Sequence, residues 1–113
     1  MSYARKFEEM KDGLRSLNKA IPDTAKGFGA FQKAAKESSP LSGREVELIA
    51  LAIAIADRCE PCIMFHTEAL KKQGGSRADC AAVGAVAMTM GGGPSYMYAA
   101  KALQAWDDIN GAD

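Results

Sequence analysis

Charge of one sign, β-branched residues, histidine and long apolar runs are what this chain has little of. Fourteen Lys and Arg stand against fourteen Asp and Glu, for a formal net charge of zero. No basic stripe alternates with aromatics, so nucleic acid is not an expected partner. The longest uncharged stretch, Cys80 to Ala100, is cut in the middle by Gly91-Gly92-Gly93-Pro94, and Leu48 to Ala56 is shorter still. Neither half of the first, nor the second, is long enough to span a bilayer as a helix, so no membrane partner is expected. The N-terminus places acids early (Phe7-Glu8-Glu9) and has no apolar signal core, which predicts a cytoplasmic protein. No glycine loop follows a strand to cradle a phosphate, and no flavin, haem or nucleotide cofactor is expected.

What remains points to helices. Val, Ile and Thr are scarce, no run alternates with period two, and apolar residues recur at helical spacing. With 113 residues, the chain is expected to form one all-α domain over 1–113, built from five or six short helices with an N-terminal helical arm over about 1–20. The first helix runs from Ser2 to about Asn18 and carries Phe7, Met10, Leu14 and Leu17 on one face. Pro22 suits the first turn of the next helix, which carries Phe28 and Phe31 to about Lys36. Ser38-Ser39-Pro40 is a linker. Ser42 and Glu45 form a capping-box pattern before an apolar helix through about Asp57. Arg58 to Pro61 is a tight break, and Pro61 opens a helix that Gly74-Gly75 ends. Ser76-x-x-Asp79 caps a helix to about Met90, and the glycine run with Pro94 separates it from a last helix ending near Ile109.

Residues 46–56 contain one charge and residues 80–90 none. Helices apolar nearly all round need more interior than a small monomer has, so a homo-oligomer is expected.

The chemistry concentrates in Glu47-x11-Cys59-Glu60-Pro61-Cys62-x3-His66. Three cysteines are an odd count, and a C-x-x-C in a cytosolic chain points to redox or metal chemistry. If the helices on either side of Arg58 form an antiparallel hairpin, position 54 faces about 62, position 50 faces about 66, and Glu47 lies just beyond. Cys62 and His66 share a face, about 6 Å apart along the axis. A carboxylate reaching the imidazole fixes its tautomer, and the imidazole accepts the thiol proton. Glu45 already fits the cap, so Glu47 needs another partner or an upward pKa shift. Cys62, which shares the face of His66, is assigned as the attacking thiol and Cys59 as the resolving one. Glu60, taken as solvent-exposed, opposes thiolate formation weakly. A zinc site of Cys59, Cys62 and His66 with Cys80 is the metal alternative, although Cys80 sits among alanines and Val83 as a small core residue would.

Glu47-x11-Cys59-x2-Cys62-x3-His66 resembles the signature of the AhpD-like (alkylhydroperoxidase) branch of the carboxymuconolactone decarboxylase superfamily, and the resemblance covers roughly residues 24 to 108. It implies an all-helical AhpD-like fold assembled as trimers or hexamers. It also implies thiol-dependent peroxidase or disulfide-relay activity on a hydroperoxide substrate, with electrons from a dithiol or protein donor. By position, Cys62 is similar to the peroxide-reactive thiol, Cys59 to its disulfide partner, and His66 and Glu47 to the proton relay. One departure stands out: the best-studied members carry a histidine immediately before the second cysteine, where this chain has Pro61.

Overall fold

The computed structural model describes residues 2–111; Met1 and the pair Ala112-Asp113, at the ends of the expected 1–113 domain, lie outside the described residues. Five helices follow one another: α1 Tyr3–Ala20, α2 Pro22–Glu37, α3 Gly43–Ala56, α4 Glu60–Lys72 and α5 Arg77–Asn110. Among the described residues there is no strand.

The helix starts form where short polar side chains can satisfy orphan backbone amides. Ser42 accepts from the Glu45 amide at 3.1 Å while the Glu45 carboxylate accepts from the Ser42 amide at 2.8 Å, closing the predicted capping box of α3. Ser76 and Asp79 do the same for α5, at 3.2 and 2.9 Å. At the far end of α4, Gly74 takes φ 88°, a left-handed conformation that glycine adopts freely.

The glycine run proves more abrupt than a linker. Two helical segments meet there with no intervening loop, and one residue, Gly92 (φ 67°, ψ −147°), leaves helical geometry. The chain doubles back there. Arg77 near the start of α5 grips Asp107 near its end through two bonds of 2.7 and 3.0 Å, whereas a straight helix would hold residues 30 apart at about 45 Å. The halves pack closely at Gly84, where an added Cβ would lie 3.0 Å from the Cβ of Ala99. α5 is therefore itself a hairpin, which makes the expected last helix its returning half.

α3, α4 and the two halves of α5 enclose the core. Leu51, Ile55, Ile63, Leu70 and Trp106 are fully buried in it. The Trp106 indole N–H has no hydrogen-bond partner among the described residues, so packing dominates the fit of this side chain to its site. α1 lays Tyr3 and Phe7 onto the core. Phe7 meets Phe65 of α4 edge to face at 4.9 Å, and the Tyr3 amide donates to Asp108 at 2.8 Å.

α2 buries no residue. Its Phe28 and Phe31 are 59% and 68% exposed, with ring centroids 6.3 Å apart. Ile49 and Ile53 of α3 and Val86 and Met90 of α5 are exposed as well. The helices expected to be apolar all round thus keep one apolar face against the core and turn another outward.

Candidate functional site

The turn between α3 and α4 sets the register of the site. Arg58 takes φ 57°, and the Cys59 amide reaches back to the Ala54 carbonyl at 3.0 Å, so the chain reverses within two residues. Cys59 is then the N-cap of α4. Its sulfur accepts the Cys62 backbone amide at 3.3 Å, the role a Ser or Asp oxygen usually fills. Pro61 sits in the first turn, where a missing N–H costs nothing. Cys59 and Cys62 are joined as a disulfide, with Cα atoms 5.2 Å apart, and both residues are half-buried. One turn further along α4, His66 is also half-buried.

Across the hairpin, Glu47 of α3 meets that ring. Its Oε1 lies 2.7 Å from His66 Nδ1, and Glu47 is only 5% exposed. The hydrogen bond from His66 is the largest influence on this carboxyl and holds its pKa below the ordinary glutamate value; burial pushes the other way and loses. Of the two fates expected for Glu47, the partner prevails over the upward shift. An ionised carboxylate only accepts hydrogen bonds, so Nδ1 carries a proton in this contact, and whenever the ring is neutral Nε2 is its acceptor nitrogen.

A third group joins them. Lys36 Nζ, in the last turn of α2, lies 3.4 Å from Glu47 Oε2, so the carboxylate bridges a histidine and a lysine. Nothing in the residue pattern announces Lys36, because its reach depends on how α2 leaves the core.

Glu60 departs from expectation. It is half-buried and held between Lys6 of α1 at 2.9 Å and Lys101 of α5 at 3.1 Å. The Lys6 hydrogen bond is the largest cause of its lowered pKa. Its charge, expected to face solvent and oppose a thiolate, is instead countered twice.

The zinc alternative does not assemble. The two C-x-x-C sulfurs bond each other, and Cys80 is 1% exposed in the core, where burial pushes its thiol up to about 11. Among the described residues no group of three or more His, Cys, Asp or Glu is placed to hold a metal ion.

The arrangement defines a class: an all-helical protein with a vicinal disulfide-forming cysteine pair at a helix N-terminus and a carboxylate–imidazole pair one turn away. The chain belongs to the carboxymuconolactone decarboxylase family, whose profile matches residues 22–105. An uncharacterised protein of Cupriavidus necator is 35% identical over 105 residues, 93% of each chain. One of Haemophilus influenzae is 38% identical over 97 residues, 86% of each. The crystal structure of an apo carboxymuconolactone decarboxylase family protein from Legionella pneumophila superposes with a TM-score of 0.89 at 33% identity, covering 98% of this chain and 97% of that one. Among the described residues no helix is long and apolar enough to cross a membrane.

Proposed function

We propose that the protein is a cytoplasmic, thiol-dependent oxidoreductase that reduces hydroperoxides through Cys62 and Cys59, with His66 and Glu47 as a proton relay. The observation that carries this reading is the 2.7 Å contact between Glu47 and His66 one turn from the Cys59–Cys62 disulfide. In the reduced protein, Nε2 of His66 accepts the Cys62 thiol proton, directly or through water, while Glu47 steadies the imidazolium. The Cys62 thiolate attacks the terminal oxygen of the hydroperoxide. An S–O bond forms, the O–O bond breaks, and the alkoxide takes a proton to leave as an alcohol. The Cys59 thiolate then attacks the Cys62 sulfenic acid, and the S–S bond forms as hydroxide leaves and is protonated to water. A dithiol or protein donor returns two electrons and two protons by exchange, regenerating both thiols. The exposed apolar faces support a homo-oligomer, trimeric or hexameric as the resemblance implies.

A second reading is disulfide exchange with little peroxidase activity, as a reductase or electron-relay adaptor. The helix N-terminus favours it: the Cys62 amide aimed at the Cys59 sulfur would stabilise a thiolate on Cys59, able to attack the disulfide of an electron acceptor. Peroxide consumption with a dithiol donor separates the two. The peroxidase reading expects turnover by wild type that Cys62→Ser abolishes and His66→Ala slows. Disulfide turnover without peroxide loss would establish the adaptor instead.

A further inference from the structure

Lys36 comes from the one helix that buries nothing, yet its ammonium reaches one of the most enclosed carboxylates in the chain. An ion pair between two exposed side chains would carry little meaning. This pair differs: the Glu47 side chain is 7% exposed and Lys36 is 44% exposed, so solvent-side charge is delivered onto a buried acceptor. The two oxygens of Glu47 are divided between two donors, Oε1 to His66 and Oε2 to Lys36.

We propose that Lys36 is a positioning residue of this site: its ammonium holds one oxygen of Glu47 so that the other stays aimed at His66, and its charge restrains how tightly the imidazole keeps its proton. The inference rests on the relay reading given above and adds a setting to it. A lone carboxylate beside an imidazole makes the ring a stronger base, to the point where it keeps the proton and no longer passes it on. A cation on the opposite oxygen draws carboxylate charge away from the ring and repels the imidazolium. Both effects have the same sign, and both ease release of the proton.

The charged surroundings are simple enough for the test to be read directly. The charges that bear on the Glu47 carboxylate are those of His66 from α4 and Lys36 from α2. Arg44, one turn earlier on α3, is held by Asp79 of α5 at 2.8 Å. From α1 and the returning half of α5, Lys6 and Lys101 are held by Glu60 of α4. Cys80 of α5 is an uncharged thiol at neutral pH.

His66 is the single histidine of the chain, so its ring titration is one resolved signal in NMR. The full-length reduced protein is titrated as wild type, Lys36→Met, Lys36→Arg and Glu47→Gln, and the pH profile of thiol alkylation is recorded for each. Lys36→Met is expected to move the ring midpoint upward by about half to one pH unit, about a three- to tenfold gain in proton affinity. Lys36→Arg, which keeps the charge, is expected to return the midpoint to wild type, which a merely structural loss would not do. A Lys36→Met midpoint that coincides with wild type, while Glu47→Gln shifts both midpoint and alkylation, overturns the role of Lys36 alone. A Glu47→Gln protein whose ring midpoint and alkylation profile both match wild type overturns the relay and this inference with it.

Discussion

Replacing Glu47 by Gln removes one charge and almost no volume, so it isolates what ionisation of this carboxyl contributes to the fold. A buried ion pair can cost more in desolvation than it returns, in which case the neutral amide would stabilise the protein. Two observations decide against that here. Both oxygens have donors, at 2.7 Å from His66 and 3.4 Å from Lys36, and the carboxyl titrates below its ordinary value, so the fold favours the ionised form. A hydrogen bond to a charged group contributes about 1.5–3 kcal/mol and a neutral one about 0.5–1.5 kcal/mol. The Gln carbonyl can still accept from Nδ1, so the expected loss at neutral pH is the difference, about 1–2 kcal/mol. For a domain of this size that lowers Tm by about 3–10 °C. The sign with pH follows from the direction of the shift. A carboxyl whose folded pKa is depressed adds stability that is present above its unfolded value, about 4.3, and lost as pH falls through the folded value. The assay is thermal or urea unfolding of the disulfide form of both proteins from neutral pH to about pH 3, read as the gap between them. The gap is expected to be full between mildly acidic and neutral pH and to close under acid. A gap equally wide at both ends, or a Glu47→Gln protein more stable than wild type at pH 7, would refute the reasoning.

Three further outcomes are expected. Gly75→Ala places a Cβ 2.5 Å from the Leu70 side chain and 2.8 Å from the Leu70 carbonyl oxygen, so the backbone must move; urea unfolding is expected to show a loss of about 1–3 kcal/mol. Trp106→Ala is expected to cost about 3–5 kcal/mol. Trp106→Phe should cost less than half as much, because it also removes a buried N–H that has no partner among the described residues, and equal losses would contradict the packing described. Ile53→Asp with Val86→Asp places charge on two residues that are 55% and 62% exposed, so the fold should survive while light scattering shows a smaller species. An unchanged assembly would clear these two positions of any role in it.

The contact between Glu47 and His66 was legible because each step was local. A capping box at Ser42 and Glu45 fixes where α3 begins, and Gly74 fixes where α4 ends. The break near Arg58 fixes the hairpin, and the rise of a helix then places position 47 just beyond position 66. Lys36, Lys6 and Lys101 were not legible by that route. They approach from helices whose placement depends on the whole core, across sequence separations of 54 and 41 residues for the two lysines on Glu60. A lysine stem carries no periodic requirement that would mark its target in advance. Phe28 and Phe31 show the converse limit. Their residue type says that they should be covered, but residue type cannot say whether the cover lies within the same chain. Gly91-Gly92-Gly93 marks where α5 breaks; that the chain reverses there depends on how the two halves pack against each other, as at Gly84 and Ala99, with the Arg77–Asp107 pair closing the far end of the hairpin.

The lysines on Glu60 offset the charge that this residue places beside the cysteines. Between two cysteines, a free carboxylate would raise both thiol pKa values and disfavour a nucleophile. Here one negative charge is held by two positive ones, at 2.9 and 3.1 Å, and the trio carries a net charge of +1. The amide end of α4 adds partial positive charge at the same place, with the Cys62 N–H aimed at the Cys59 sulfur. The helix end favours a thiolate once the disulfide is reduced, and the paired lysines offset the charge that would oppose one. Glu60 therefore acts as an anchor that brings Lys6 of α1 and Lys101 of α5 to the first turn of α4. Two helices remote in sequence are thereby tied to the residues that would do the chemistry, and the acid that looked like an obstacle to that chemistry is what recruits the charge in its favour.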